Sequence, residues 1–138
     1  MRFAIKLGFF FFLILVICQN CFNKKEAQCE DLLKNYKIKN VTFKECKKGN
    51  YFQSKALVAK YTVNGRDALI VELELREKFK MAPLKYRCCL WENESLDDAN
   101  DSKIIVEMTS DETYIKDRNK WNEIEYFHVM VFSLLEEV

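Results

Sequence analysis

KALVAKYTVNGRDALIVELELREKFK, residues 55–80, changes its hydrophobic period halfway along, and that change decides the fold class. From Lys55 to Val63 apolar and polar residues alternate, which places Leu57, Ala59, Tyr61 and Val63 on one face of a strand. From Asn64 the spacing turns helical through about Lys80. Ala68, Val71, Leu75 and Phe79 form one stripe, with Leu69 and Leu73 beside it. Asn64 or Gly65 can cap this helix, and Asp67 suits its positive N-terminal end. Glu72 with Arg76, and Glu74 with Lys78, stand four apart in the favourable orientation for surface pairs. Pro83 stops the helix from continuing.

Working outward, Val41–Cys46 alternates and predicts a strand, and Lys47-Lys48-Gly49-Asn50 predicts a turn. Upstream, Ala27, Leu32, Leu33 and Tyr36 fall at helical spacing within a short helix over 26–36. Downstream, Leu84–Trp91 predicts a strand, residues 92–102 a polar acidic loop, and Ile104–Thr109 and Tyr126–Leu134 two more strands. A polar stretch around Lys116–Trp121 separates the last two. The order is helix, two strands, helix, three strands. Short links and segregated strand runs favour antiparallel pairing. The expectation is an α+β fold: an antiparallel sheet of about five strands, one long helix packed on one face, and a short N-terminal helix.

The first 21 residues read differently. Arg2 and Lys6 precede an apolar run from Leu7 to Cys18, twelve residues long. That length suits the core of an export signal and falls short of the roughly 20 residues a spanning helix needs. The expectation is a signal peptide over 1–21 and a single domain over 22–138. No A-x-A pattern marks a cut. A cysteine closing the run instead looks like lipoprotein processing, with Cys21, preceded by the small Asn20, a better lipidation candidate than Cys18, preceded by the bulky Ile17.

Once Cys18 and Cys21 are set aside, Cys29, Cys46, Cys88 and Cys89 remain, an even number suited to disulfides in an oxidising compartment. Joining Cys88 to Cys89 demands a strained ring between neighbours. In an extended strand their side chains point to opposite faces. Cys29 and Cys46 are therefore each expected to pair with one member of the doublet. The spacing Cys18-Gln19-Asn20-Cys21 is the only one resembling half a zinc site or a redox motif, and it straddles the processing point.

Across the mature chain run Cys29-Glu30-Asp31-Leu32-Leu33, Val41-Thr42-Phe43 with Cys46, and Ala59-Lys60-Tyr61-Thr62-Val63 with Gly65. Phe79-Lys80-Met81, Cys88-Cys89-Leu90-Trp91-Glu92, Met108-Thr109-Ser110-Asp111-Glu112 and Trp121 through Phe127-His128-Val129 follow. This pattern, over roughly residues 29–137, resembles DUF4952, a family of small exported bacterial proteins of unknown function. The chain departs from it at Leu90, where the resemblance leads one to expect glycine. The resemblance implies export and a bacterial source, and brings no catalytic residue with it.

Chemistry is sparse. The single histidine, His128, lies between Phe127 and Val129 in a strand, and no G-x-S-x-G elbow accompanies it. Trp91-Glu92 sets an aromatic plane beside an acid, as in many sugar sites, although Trp91 follows a half-buried strand and Glu92 opens a solvated loop. Asp97, Asp98 and Asp101 lack the glycine and terminal glutamate of a calcium loop. No phosphate-binding glycine motif occurs, so no cofactor is expected. The net charge of +1 gives no warrant for nucleic acid.

Charge is nonetheless uneven. Residues 24–60 hold ten lysines, and residues 92–112 hold eight acids. The function expected is a non-enzymatic envelope protein, periplasmic, secreted or tethered to the membrane through an N-terminal lipid. It would bind another protein or an envelope polymer, as an inhibitor or immunity protein does. The alternative is a small cell-wall hydrolase using Glu92, one of Asp97, Asp98 or Asp101, and His128. Trp91, Glu92 and His128 are the surface-site candidates.

Overall fold

A computed structural model describes residues 28–94 and 103–135. Its sheet has six strands: β1 (Thr42–Tyr51), β2 (Ser54–Asn64), β3 (Leu84–Arg87), β4 (Leu90–Asn93), β5 (Ile104–Ser110) and β6 (Tyr126–Leu134). They lie in the order β1-β2-β6-β5-β4-β3, and every neighbouring pair is antiparallel. One helix, α1 (Ala68–Phe79), links the β1–β2 hairpin to the β3–β6 meander and covers one face. The class is α+β, as expected. The expectations about the leader, Cys18, Cys21, Asp97, Asp98 and Asp101 lie outside the described residues.

The switch of period at Asn64 is where strand gives way to helix, through a single 3-10 turn at Gly65–Asp67. Neither Asn64 nor Asp67 caps through its side chain. Gly65 serves a different need from capping. A Cβ there would stand 2.0 Å from the Ile124 carbonyl oxygen and 2.2 Å from that of Trp121, so only glycine lets the two backbones meet. The helix buries Ala68, Val71 and Leu75 against Ala59, Tyr61, Val63, Met108, Phe127 and Val129. Burial of each larger apolar side chain contributes roughly 1.5–3 kcal/mol. Leu69 and Leu73, expected beside the stripe, are exposed.

Four expectations need correction. The expected turn at Lys47–Asn50 is strand: β1 runs on to Tyr51, and the hairpin turns at Phe52-Gln53. Gly49 signals close approach there, since a Cβ on it would lie 3.0 Å from Val58 Cγ2. The expected strand Leu84–Trp91 is a hairpin of two short strands with Cys88-Cys89 at its turn, which raises the strand number to six. From Gln28 on, the expected N-terminal helix is reduced to a 3-10 turn at Lys34–Tyr36. Tertiary contacts hold that segment instead: the Leu33 N–H donates to the Tyr61 hydroxyl, which donates to Asp31 Oδ1 at 2.7 Å.

The fourth concerns the cysteines. Cys29 is joined to Cys46, with Cα atoms 5.4 Å apart, and Cys88 and Cys89 are free. The expected pairing fails on topology. Cys46 is on β1 and the doublet follows β3, so they sit at opposite edges of a six-stranded sheet. Five inter-strand spacings amount to on the order of 24 Å, and a disulfide needs Cα atoms within about 7 Å. The Cys29–Cys46 bridge closes a 17-residue separation, worth about 3 kcal/mol by restraint of the unfolded chain.

Candidate functional site

Only one face of the sheet is covered by α1, and strand alternation assigns the residues of the other. Phe127, Val129 and Val131 of β6 point to the core, so His128 and Met130 point away. The ladders then set whole rows across the face opposite α1. Glu92 of β4 lies opposite Thr109 of β5, Thr109 opposite His128, and His128 opposite Thr62 of β2. In the next row Glu107 faces Met130, Met130 faces Lys60, and Lys60 faces Glu45.

These rows line two shallow depressions that share Thr109, His128 and Met130 and form one groove. The part over β4–β6, about 650 Å³, is bounded by Arg87, Glu92, Glu94 and Glu107. The part over β1, β2 and β6, about 440 Å³, is bounded by Lys44, Glu45 and Lys60. The uneven charge of the sequence thus survives folding. Strand order keeps the lysine-rich β1–β2 half apart from the acidic β4–β5 half, with His128 and Met130 between them.

His128 Nε2 is 2.7 Å from Asp111 Oδ1, and both side chains are about half exposed, at 45% and 47%. Arg87 pairs with Glu94 and lies 3.9 Å from Glu92. Lys60 and Lys47 both reach Glu45, and these contacts, Lys47 first, hold its carboxyl below the usual carboxylate range. Burial pushes the Glu107 carboxyl up, against a lowering hydrogen bond from Tyr51. Among the described residues, no group of three or more His, Cys, Asp or Glu side chains converges as a metal site would require.

Of the expected surface residues, Glu92 and His128 line the groove and Trp91 does not. Trp91 is buried on the helix side, with its indole N–H donating to the Ile115 carbonyl at 2.8 Å and its ring edge-on to Trp121. Adjacent strand residues face opposite ways, so Trp91 and Glu92 cannot present one surface. Glu92 and His128 are two strands apart, roughly 9–10 Å, and do not meet. Sequence reasoning missed Asp111, Glu107, Thr109 and Met130. The alternation of Glu107 and Thr109 with Val106 and Met108 signals their shared face, but the register that sets them beside His128 is a tertiary fact.

It also missed Glu72. Rather than pairing with Arg76 on the surface, Glu72 is fully buried and accepts two hydrogen bonds from Arg118, at 2.7 and 2.9 Å, and one from the Leu84 N–H at 2.7 Å. Arg118 also donates to the Leu84 carbonyl and stacks 4.7 Å over Trp121. This clamp fixes the start of β3 behind the groove's acidic wall.

No curated protein and no solved structure matches the chain. Residues 19–91 match the family described as a domain of unknown function, DUF4952, a shorter span than the resemblance over 29–137 suggested. That match takes in the β1–β2 hairpin, α1 and the cysteine doublet, and ends at Trp91, before Glu92, β5 and the His128 strand. The chain belongs to the DUF4952 family.

Proposed function

We propose that this is an exported envelope protein whose domain, following a leader over residues 1–21, is a non-enzymatic binding module that holds a protein or an envelope polymer on the sheet face opposite α1. The observation that carries this reading is the groove itself. Its described lining is a row of donors, acceptors and the Met130 thioether on a sheet, with basic residues at one side and acidic residues at the other. Such polarity orients a charged partner during encounter. The Cys29–Cys46 disulfide supports an oxidising compartment, and lipidation at Cys21 would tether the domain to the membrane. An inhibitor or immunity role is one form this binding takes.

Site-specific photocrosslinking in the native envelope tests the surface. A crosslinker at Met130, in the groove, should capture one discrete partner, and the same group at Leu73, on the outer side of α1, should not. Capture from Leu73 alone, or from neither position, refutes the surface. An unmodified mature N-terminus beyond Cys21, found by intact mass, removes the lipid.

A hydrolase is the second reading, favoured by one observation. Glu92 and Glu107 share the groove as diagonal neighbours on paired strands, about 7–8 Å apart. That is the spacing of their backbone positions, from which the two carboxyl groups can reach the roughly 6.5–9.5 Å separation that leaves room for water in inverting glycosidases. Burial suits Glu107 to act as the proton-bearing acid. Release of fragments from cell-wall polymer by the wild type, abolished in Glu107→Gln, would establish it. Equal release by both proteins, or none, would end it.

A further inference from the structure

The turn between β3 and β4 consists of two cysteines, Cys88 and Cys89, both free while Cys29 and Cys46 are joined. The Cys89 N–H donates to the Arg87 carbonyl at 2.6 Å, closing a three-residue turn about Cys88. Cys88 adopts φ 53, the left-handed form of that turn, which is rare and strained for a residue with a side chain. Hairpins ordinarily place Asn or Gly at such a position. Strain of this order, about 1–3 kcal/mol, persists where surrounding contacts impose it and gathers at functional sites. Here the Thr113 N–H donates to the Cys89 carbonyl at 2.6 Å and pins the turn to the segment after β5.

The turn also changes what the two sulfurs can do. In an extended strand they would diverge, whereas the two-residue turn and the positive φ of Cys88 end that alternation and leave both sulfurs on one tight loop. Cys88 is exposed and Cys89 is half-buried. The hydrogen bond from Cys88, followed by burial and the charges of Cys88 and Glu112, holds the Cys89 thiol above its usual value. One sulfur is thus offered to solvent, and the second is half-buried beside it.

We propose that Cys88 and Cys89 form a dithiol site that exchanges with accessible disulfides, Cys88 attacking and Cys89 resolving. The Cys88 thiolate attacks one sulfur of the substrate disulfide. A Cys88–substrate S–S bond forms, the substrate S–S bond breaks, and the departing thiolate takes up the proton released by Cys88. The Cys89 sulfur then attacks Cys88 Sγ, forming a Cys88–Cys89 disulfide and expelling the second substrate thiolate, which takes the Cys89 proton. The dithiol is oxidised, the substrate disulfide is reduced to two thiols, and no further oxidant is needed. A disulfide between neighbours is strained and exposed, so it reopens readily and the exchange runs in both directions.

The test uses the full chain carrying Cys18→Ser and Cys21→Ser, with the doublet reduced and Cys29–Cys46 intact by peptide mapping, and oxidised glutathione as the probe. Both free thiols should be consumed, the intact mass should fall by two hydrogens, and no glutathione should be retained. Cys89→Ser should trap one glutathione on Cys88. Cys88→Gly, which relieves the positive φ and so keeps the fold, should lose ring closure. Stable glutathione on both sulfurs of the wild type, a disulfide-linked dimer, or thiols that stay unreacted would each overturn the proposal.

Discussion

Arg118→Ala removes the cation from the clamp behind the groove and leaves a carboxylate stranded. The Glu72 side chain is 1% exposed and receives three hydrogen bonds, two of them from Arg118. Truncating one partner of a buried, hydrogen-bonded ion pair costs about 3–5 kcal/mol, because the remaining charge is uncompensated. Two smaller losses accompany it: the bond to the Leu84 carbonyl and the stacking over Trp121. Against these, the Arg118 side chain is 35% exposed, so water enters the vacated space and partly solvates Glu72. Together these effects place the expected loss at the lower end of the range, about 3 kcal/mol. For a domain of this size that lowers the melting temperature by roughly 12–20 °C. Urea and thermal unfolding followed by tryptophan fluorescence provide the assay, since Trp91 and Trp121 both contact the clamp. The double variant Glu72→Met, Arg118→Met removes both charges and should recover most of the loss. A loss below about 1 kcal/mol for Arg118→Ala, or a double variant no better than the single, would refute the buried-charge account.

Gly65→Ala should destabilise the fold by at least about 2 kcal/mol in the same urea assay, because the added Cβ meets backbone oxygens that cannot swing aside. Gly49→Ala, whose Cβ meets only the Val58 side chain, should stay within about 1 kcal/mol of the wild type, and equal losses would contradict the distinction. The raised Glu107 pKa means that the native state holds this proton more tightly than the unfolded chain. Stability from this group is therefore full below the unfolded value of 4.5 and is lost as pH rises through the folded pKa. Glu107→Gln should flatten that part of the pH profile and be more stable than the wild type near neutrality; parallel profiles would refute the burial.

Where local pattern carries the information, the fold can be read. The alternation of 55–63 and the stripe Ala68, Val71 and Leu75 place β2 and α1 almost to the residue, and β6 runs over Tyr126–Leu134 as its pattern predicts. Misreadings gather where one signal serves two ends. Gly49 looks like a turn and is a close contact. Cys88-Cys89 lies inside the run Leu84–Trp91 that looks like one strand, yet it takes the turn because β3 and β4 pair with each other. Glu72 stands at the spacing of a surface pair and is drawn inside by an arginine 46 residues away. Each error has the same physical source: strand order and register decide which partner is near, and neither is written locally.

That source also bears on the two functional readings at Trp91-Glu92. A sugar platform needs the indole face and the carboxylate on one side of the chain. Extended backbone in β4 turns successive side chains apart, and the core claims Trp91 through Trp121, Tyr86 and the Ile115 carbonyl. The packing that buries Trp91 is what holds Glu92 on the groove, so the pair is divided between stability and recognition. The groove therefore takes no indole face from Trp91, and charged side chains are the main recognition groups of its described lining. Its contacts are Arg87, Glu92, Glu94 and Glu107 on one flank, Lys44, Lys60 and Glu45 on the other, and the His128–Asp111 pair between them. Exposed charges of this kind act over about a Debye length and weaken with salt. A partner held by them should leave as ionic strength rises, whereas one held by stacking on an indole would stay.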